Sequence, residues 1–248
     1  MKLVLYAGGH YADNPELNRA CLELARVKKP RITFIPSSSD GGPEDFQEFV
    51  DCFDDLGITD YVYFPVDLPF TELLAGMALS SDVIFLGGGN TFSFLRSLRA
   101  GKLLGRLKQA SERGAVLAGL SAGAILLTPN ISTASFPAFD SDDNAVQIKN
   151  WQALGLTPFE FFPHFVNSER YRRALTAHSR RVVHPVVGSG DGGGVVYTRR
   201  ELRLVGSFQI FMRGKSVPLL KSFRREEAQK HTQGDESGTQ PSTAAPAP

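Results

Sequence analysis

Five short, uniformly apolar runs, each followed by a stretch of different spacing, constrain this chain more than any other feature. They are KLVLYA at 2–7, RITFIP at 31–36, YVYFP at 61–65, DVIFLGGG at 82–89 and AVLAGL at 115–120. None shows the apolar–polar alternation of a strand with one wet face, so each reads as a strand buried on both faces. Helical spacing fills the intervals. Asn14 and Pro15 form a cap and first helical position, followed by Leu17, Cys21, Leu24 and Ala25. Pro43 opens a second helix with Phe46, Phe49, Val50 and Phe53 on one face. Residues 70–79 give a weaker third, and Phe92, Leu95 and Leu98 mark another. This order predicts an α/β fold: a three-layer sandwich with a mostly parallel central sheet covered on both faces.

The second half changes character. Residues 129–163 are rich in Pro, Asp, Ser and Asn and read as a long loop or lid. Ser168 is placed to cap a helix carrying Tyr171, Ala174, Leu175 and His178. VVHPVV at 182–187 reads as a further strand, and GVVYTRRELRLVG at 194–206 as a C-terminal β-hairpin. A single domain is expected over 1–225. Residues 226–248 are too polar to bury a core and are expected to be a disordered tail. The 248 residues are 42% hydrophobic with a formal net charge of +1. That balance gives no electrostatic case for nucleic acid or membrane as a partner. Cys21 and Cys52 fall at apolar helical positions and read as reduced core residues. The N-terminal apolar run is too short for a signal peptide, and no run approaches the ~20 residues needed to span a bilayer. The expected location is cytoplasmic.

The chemistry concentrates in AVLAGLSAGAILLT at 115–128. Gly119, Leu120, Ser121, Ala122 and Gly123 form a G-x-S-x-G stretch between a predicted strand and a predicted helix. That context marks a nucleophile elbow, where a sharp turn exposes the hydroxyl and small neighbours let backbone approach. The bland reading is a serine capping a helix in a glycine-rich turn. A second turn, LGGGNTF at 86–92, also lies between a strand and a helix. Neighbouring parallel strands end on one sheet edge, so the N–H groups of Gly88 and Gly89 can join that of Ala122 as oxyanion donors. A phosphate cradle is disfavoured, because neither GxxxxGK nor GxGxxG is present. YAGGH at 6–10 is a similar turn of less specificity.

A serine needs a base. His231 lies in the tail, and His178 and His184 sit on a helix face and within a predicted strand, where packing roles fit better. His10 stays open, at a strand-end turn. His164, in FFPHF just before a polar turn, is the favoured base. The carboxylate that would orient it is Asp191, in GSGDGGG after a strand, or one of Asp140, Asp142 and Asp143 in the lid. There is no HExxH and the histidines and cysteines are scattered, so neither metal nor cofactor is expected.

GGGNTF at 87–92, GLSAGA at 119–124 and PHF at 163–165, in this order, resemble the peptidase E (aspartyl dipeptidase) family of serine peptidases over about residues 1–220. The resemblance implies a glutamine-amidotransferase-like, flavodoxin-like sandwich rather than a true α/β-hydrolase. It implies Ser121 as nucleophile, His164 as base, and an oxyanion hole from Gly88, Gly89 and Ala122. Its late acidic member matches Asp191, where typical members carry Glu. Typical members also carry a longer segment after the histidine, with an arginine that recognises an N-terminal aspartate. Here HFVNSERYRRAL is shorter and no arginine matches, which leaves strict Asp-X specificity open. Asn90, Thr91, Asp140 and Arg170 are the candidate substrate contacts.

The reading is a serine exopeptidase acting on dipeptides or short peptides, with a homo-oligomer left open. The alternatives are a cyanophycinase-like polymer hydrolase, an esterase with Ser–Asp–His order, and a silent binding protein on the same scaffold.

Overall fold

The structure is a computed structural model that describes residues 1–219, so the tail expected at 226–248 lies outside the described residues. Among the described residues no helix is long and apolar enough to cross a membrane.

The five apolar runs all form strands: β1 (Lys2–Tyr6), β2 (Ile32–Ile35), β3 (Tyr61–Tyr63), β4 (Val83–Leu86) and β5 (Val116–Leu120). They pair in parallel in the order β3-β2-β4-β5-β1. The hairpin read from 194–206 is present as β8 (Gly194–Thr198) and β9 (Leu202–Val205). It extends the same sheet antiparallel beyond β1, giving seven strands.

Alternate residues of each strand serve opposite faces. Leu3 and Leu5 join Leu86 and Leu117 on one side, while Val4 and Tyr6 join Phe85 and Ala118 on the other. The first face is covered by α3 (Glu72–Leu79), α4 (Thr91–Ala100), α5 (Leu103–Arg113) and α6 (Ala122–Leu126), through residues such as Ala75, Leu95, Leu107 and Leu126. The second is covered by α1 (Pro15–Ala25) and α2 (Gly42–Asp54). There Phe34, Phe49, Phe53, Phe85 and Tyr11 pack ring against ring at centroid separations of 4.4–6.4 Å. Both sheet faces are dry, which is why the strands lack alternation. This is the three-layer, flavodoxin-like sandwich expected.

Several details differ from the sequence reading. Asn14 sits at the N-cap of α1 without capping it. Its amide instead donates to the carbonyls of Gly8 and His10, bracing the turn after β1. The segment 129–163 is more than a lid. It holds a 3-10 turn (Ser132–Ser135), an Asn130–Gln152 bridge and a strand, β6 (Glu160–Phe162). The strand expected at 182–187 is β7 (Val186–Ser189), so His184 precedes it. Pro185 has no N–H to donate, and its carbonyl accepts from Glu160 N–H, which starts the β6–β7 pairing one residue before β7.

A second sheet was not foreseen. Its order is β11-β10-β7-β6, completed by a hairpin of β10 (Phe208–Met212) and β11 (Lys215–Leu219). It packs with α7 (Glu169–His178) around Phe162, Phe165, Leu175, Val186 and Phe211. Ser168 caps α7 as expected, its hydroxyl accepting from Tyr171 N–H. The small sheet matters because two site loops leave its ends, after β6 and after β7.

Candidate active site

Three successive residues at the C-terminal end of β1 hold the site together. The carbonyl of Tyr6 accepts from Ser121 N–H at 3.0 Å. That of Ala7 accepts from His164 N–H at 3.3 Å, and that of Gly8 from Gly192 N–H at 3.2 Å. Loops that follow β5, β6 and β7 are thus fastened to one strand end. In open parallel sheets this carboxyl edge is where sites form.

Ser121 joins β5 to α6 with φ 50° and ψ −107°, outside the region that residues with a Cβ prefer. Conformations of this kind cost on the order of 1–3 kcal/mol and persist where surrounding structure enforces them. Here the enforcement is visible. A Cβ on Gly119 would overlap the backbone of Gly123, and a Cβ on Gly123 would overlap the backbone of Leu86. Gly123 N–H also donates to Gly87 O at 3.2 Å, tying the elbow to the turn after β4. Both flanking glycines are therefore required by close backbone approach.

His164 also has a positive φ, 53°. Its Nε2 lies 2.8 Å from Ser121 Oγ and its Nδ1 lies 2.7 Å from Asp191 Oδ1. With Nδ1–H donating to the carboxylate, Nε2 is left to accept from the serine hydroxyl. The turn after β4 runs alongside: a Cβ on Gly88 would come to van der Waals range of Ser121 Cβ. The N–H groups of Gly88, Gly89 and Ala122 form no backbone hydrogen bond among the described residues. A cavity of about 410 Å³ opens beside Ser121 and His164, with Thr91, Thr133, Asp140 and Asp142 in its wall.

Residues 3–205, carrying the whole of this constellation, match peptidase family S51. The chain belongs to that family. Membership places it among serine-type peptidases, a class of hydrolases. The uncharacterized peptidase YgaJ of Bacillus subtilis (strain 168) is 29% identical over 175 residues, 69% of this chain and 71% of that protein. Peptidase E of Citrobacter koseri is 40% identical over 150 residues, 56% of this chain and 63% of that protein. Peptidase E of Escherichia coli O1:K1 is 36% identical over 151 residues, with the same shares. The match thus spans just under two thirds of these peptidase E chains. In fold, the chain is similar to a peptidase from an acI-B1 actinobacterium, with a TM-score of 0.66 at 17% identity, covering 90% of this chain and 95% of that one. It is equally similar, at 0.66 and 21% identity, to a candidate peptidase E from Listeria monocytogenes EGD-e, covering 82% and 96%.

The S51 chain draws only some of the expected residues together. Ser121, His164 and Asp191 meet; Ala122 follows the serine in the chain and Gly88 lies beside it, whereas Gly89 faces Ser37. Thr91 and Asp140 line the cavity. Asn90 is at the N-cap of α4, accepting from Ser93 N–H and donating to Asp143 O, so its side chain is committed to structure. The Arg170 guanidinium lies over the Phe139 ring, 3.4 Å from its centroid, and does not line the cavity. His10 bonds the exposed Glu48, whose carboxylate raises its pKa, and has no contact with Ser121. The lid aspartates point elsewhere than His164: Asp142 accepts from Thr91 N–H and Asp140 from Tyr171 O–H. Cys21 is buried and its thiol is pushed up to about 12 by that burial, which keeps it inert.

Two features were missed. Gly8, in the turn read as unspecific, faces the His164–Asp191 pair so closely that any Cβ would overlap both. Glu160, fully buried, gathers Asn130, Ser132 and His178 behind the cavity wall.

Proposed function

We propose that the chain is a serine exopeptidase for dipeptides or short peptides, with Ser121 as nucleophile, His164 as general base and acid, and Asp191 as the group that orients the imidazole. The observation that carries this reading is the Oγ–Nε2 distance of 2.8 Å, at a serine held with positive φ, next to an Nδ1–carboxylate distance of 2.7 Å.

The chemistry follows from those contacts. Ser121 Oγ attacks the scissile carbonyl carbon as its proton passes to His164 Nε2. Negative charge develops on the carbonyl oxygen, and the N–H groups of Gly88, Gly89 and Ala122 are available to hold it. The intermediate collapses as Nε2–H protonates the departing amine, leaving an ester on Ser121. Water then attacks that ester, giving its proton to Nε2, and the acid product leaves with Ser121 restored. Asp191 stays ionised throughout and favours the imidazolium between the two transfers.

The cavity supports short substrates. About 410 Å³ suits a small ligand, and the segment from Ala138 to Asp142 closes one side of it. The test is mass spectrometry of a panel of di- to pentapeptides, blocked at either end, incubated with wild type and Ser121→Ala. Cleavage that depends on Ser121 and is abolished by one terminal block is the expected result. Cleavage that survives Ser121→Ala, or activity on esters only, overturns the reading.

A further inference from the structure

A formal net charge of +1 conceals a division of charge along the chain. Residues 1–164 carry 13 Lys and Arg against 19 Asp and Glu, whereas residues 165–219 carry 10 against 3. From Arg170 to Lys215 the only acids are Asp191, in the candidate active site, and Glu201. The balance over the whole chain argued against an anionic partner, and the local excess removes that argument.

The fold gathers part of this excess at one end of the small sheet. The tip of the β10–β11 hairpin is Arg213–Gly214, with φ of 51° and 75°. Two-residue turns with positive φ at both positions favour Asn or Gly at the first, yet an arginine occupies it. The tip is fastened to the end of α7: Arg213 N–H donates to Ser179 O at 3.1 Å, and Gly214 N–H to Ser179 Oγ at 3.0 Å. Arg180 lies across Gly214 so closely that a Cβ there would overlap its side chain. Arg180, Arg181, Arg213 and Lys215 are all exposed, and none is in an ion pair among the described residues. Complementing the C-terminal end of α7 accounts for Arg180 and Arg181, but not for Arg213 and Lys215 on the hairpin.

Two apolar side chains stand among these charges. Val183, in the loop from α7 to β7, is 92% exposed, and Met212, which pairs with Lys215 beside the tip, is 42% exposed. Val186 pairs antiparallel with Phe211, so the chain just before β7 runs alongside Met212 and Arg213. An exposed valine and methionine gain nothing from the phosphates of a nucleic acid. Both can enter the headgroup region of a bilayer while the surrounding cations meet its anionic lipids.

We propose that this end of the small sheet docks on the surface of an anionic bilayer. Arg180, Arg181, Arg213 and Lys215 meet the lipid charge, and Val183 and Met212 insert among the headgroups. The contact is peripheral and independent of the chemistry at Ser121. The docked end and the catalytic loop lie at opposite ends of one strand: β7 begins beside the patch at Val186 and ends at Ser189, two residues before Asp191. Docking therefore leaves the catalytic end facing away from the lipid.

Sedimentation of the full chain with vesicles tests this, comparing mixed phosphatidylcholine–phosphatidylglycerol with pure phosphatidylcholine. Each basic group near an anionic surface is worth about fivefold in partitioning. The expected result is binding to the mixed vesicles about tenfold or more above the neutral ones, with release by raised salt. Arg181→Glu together with Lys215→Glu weakens it by about twentyfold or more. Lys28→Glu together with Lys29→Glu makes the same change in net charge at an exposed turn of the acidic part, and leaves binding within about twofold. Val183→Ser lowers binding about twofold to fivefold without altering charge. Peptide hydrolysis in solution is the same in every variant. No binding to the mixed vesicles, equal binding to both kinds, or equal loss in the two double variants overturns the proposal. Retention of a short DNA duplex without vesicle binding, lost on Arg181→Glu with Lys215→Glu, also overturns it and gives the patch to nucleic acid.

Discussion

The Cα of Gly8 lies against the imidazole of His164, with no room for a methyl group between them. A Cβ built there overlaps the ring and the Asp191 carboxylate that the ring bonds. The glycine is therefore a spacer for the His164–Asp191 pair rather than a turn former. Gly8→Ala must push the imidazole away from Ser121 Oγ. A displacement of about 1 Å at a reacting group costs on the order of a hundredfold in rate. The expected result is a fall in kcat of about that size with the fold intact, checked by peptide hydrolysis alongside circular dichroism. Unchanged kcat would mean that His164 has another position from which to work.

Asp191 bonds the imidazole nitrogen that faces away from the serine, at 2.7 Å. Asp191→Asn keeps the size but offers an amide that can donate to Nδ1, which selects the tautomer unable to accept from Ser121. The expected loss is about 10²–10⁴-fold in kcat, within the range known for such exchanges. KM should change little, because the carboxylate does not line the substrate cavity. A rise in KM at constant kcat would make Asp191 a binding group instead.

Gly119 and Gly123 meet backbone to backbone beneath the elbow, and Gly123 also meets the backbone of Leu86. Backbone cannot rotate aside as a side chain can. Gly123→Ala must part the elbow from β4, so it lowers stability by more than about 2 kcal/mol as well as activity. Thermal denaturation of Gly123→Ala beside Gly105→Ala checks this, since a Cβ on Gly105, within helix α5, meets open space. The control is expected to be neutral or slightly stabilising.

What could be read in the sequence was what local spacing encodes. The five dry strands announced themselves through missing alternation, and the Gly119–Ser121–Gly123 spacing is a local device. The Ser121, His164 and Asp191 constellation was legible because each residue follows a strand or a polar turn. The small sheet was not legible, since β6 has three residues and its pairing with β7 spans a helix and a long connection. Gly8 was passed over because its partners lie 156 and 183 positions away in the chain. His178 was read as a packing residue, and its ring does stack on Phe136 at 4.9 Å. The remaining half of its role, facing a buried carboxylate, depends on a strand the sequence did not reveal.

That buried group supports a final prediction. Glu160 is fully buried, and burial alone would raise its pKa. The neighbouring His178 ring and hydrogen bonds from Ser132 and Asn130 outweigh the burial and hold the carboxyl below the usual carboxylate range. Ser132 Oγ donates at 2.5 Å and Asn130 Nδ2 at 3.0 Å, with His178 Nε2 at 3.6 Å. Ser132 and Asn130 flank the start of the turn that carries Thr133 in the cavity wall, so the carboxylate anchors the wall from behind. Because its folded pKa is lowered, its contribution to stability is fully present above the ordinary carboxylate pKa of about 4.3 and is lost as pH falls through the lower folded value. Glu160→Ala leaves buried donors without an acceptor, and the expected loss at neutral pH is about 3 kcal/mol. Denaturant titrations of wild type and Glu160→Ala at neutral and acidic pH check both statements. The gap between the two proteins should narrow on acidification. A gap that stays constant or widens would show that the ionised carboxylate is not what holds Asn130 and Ser132.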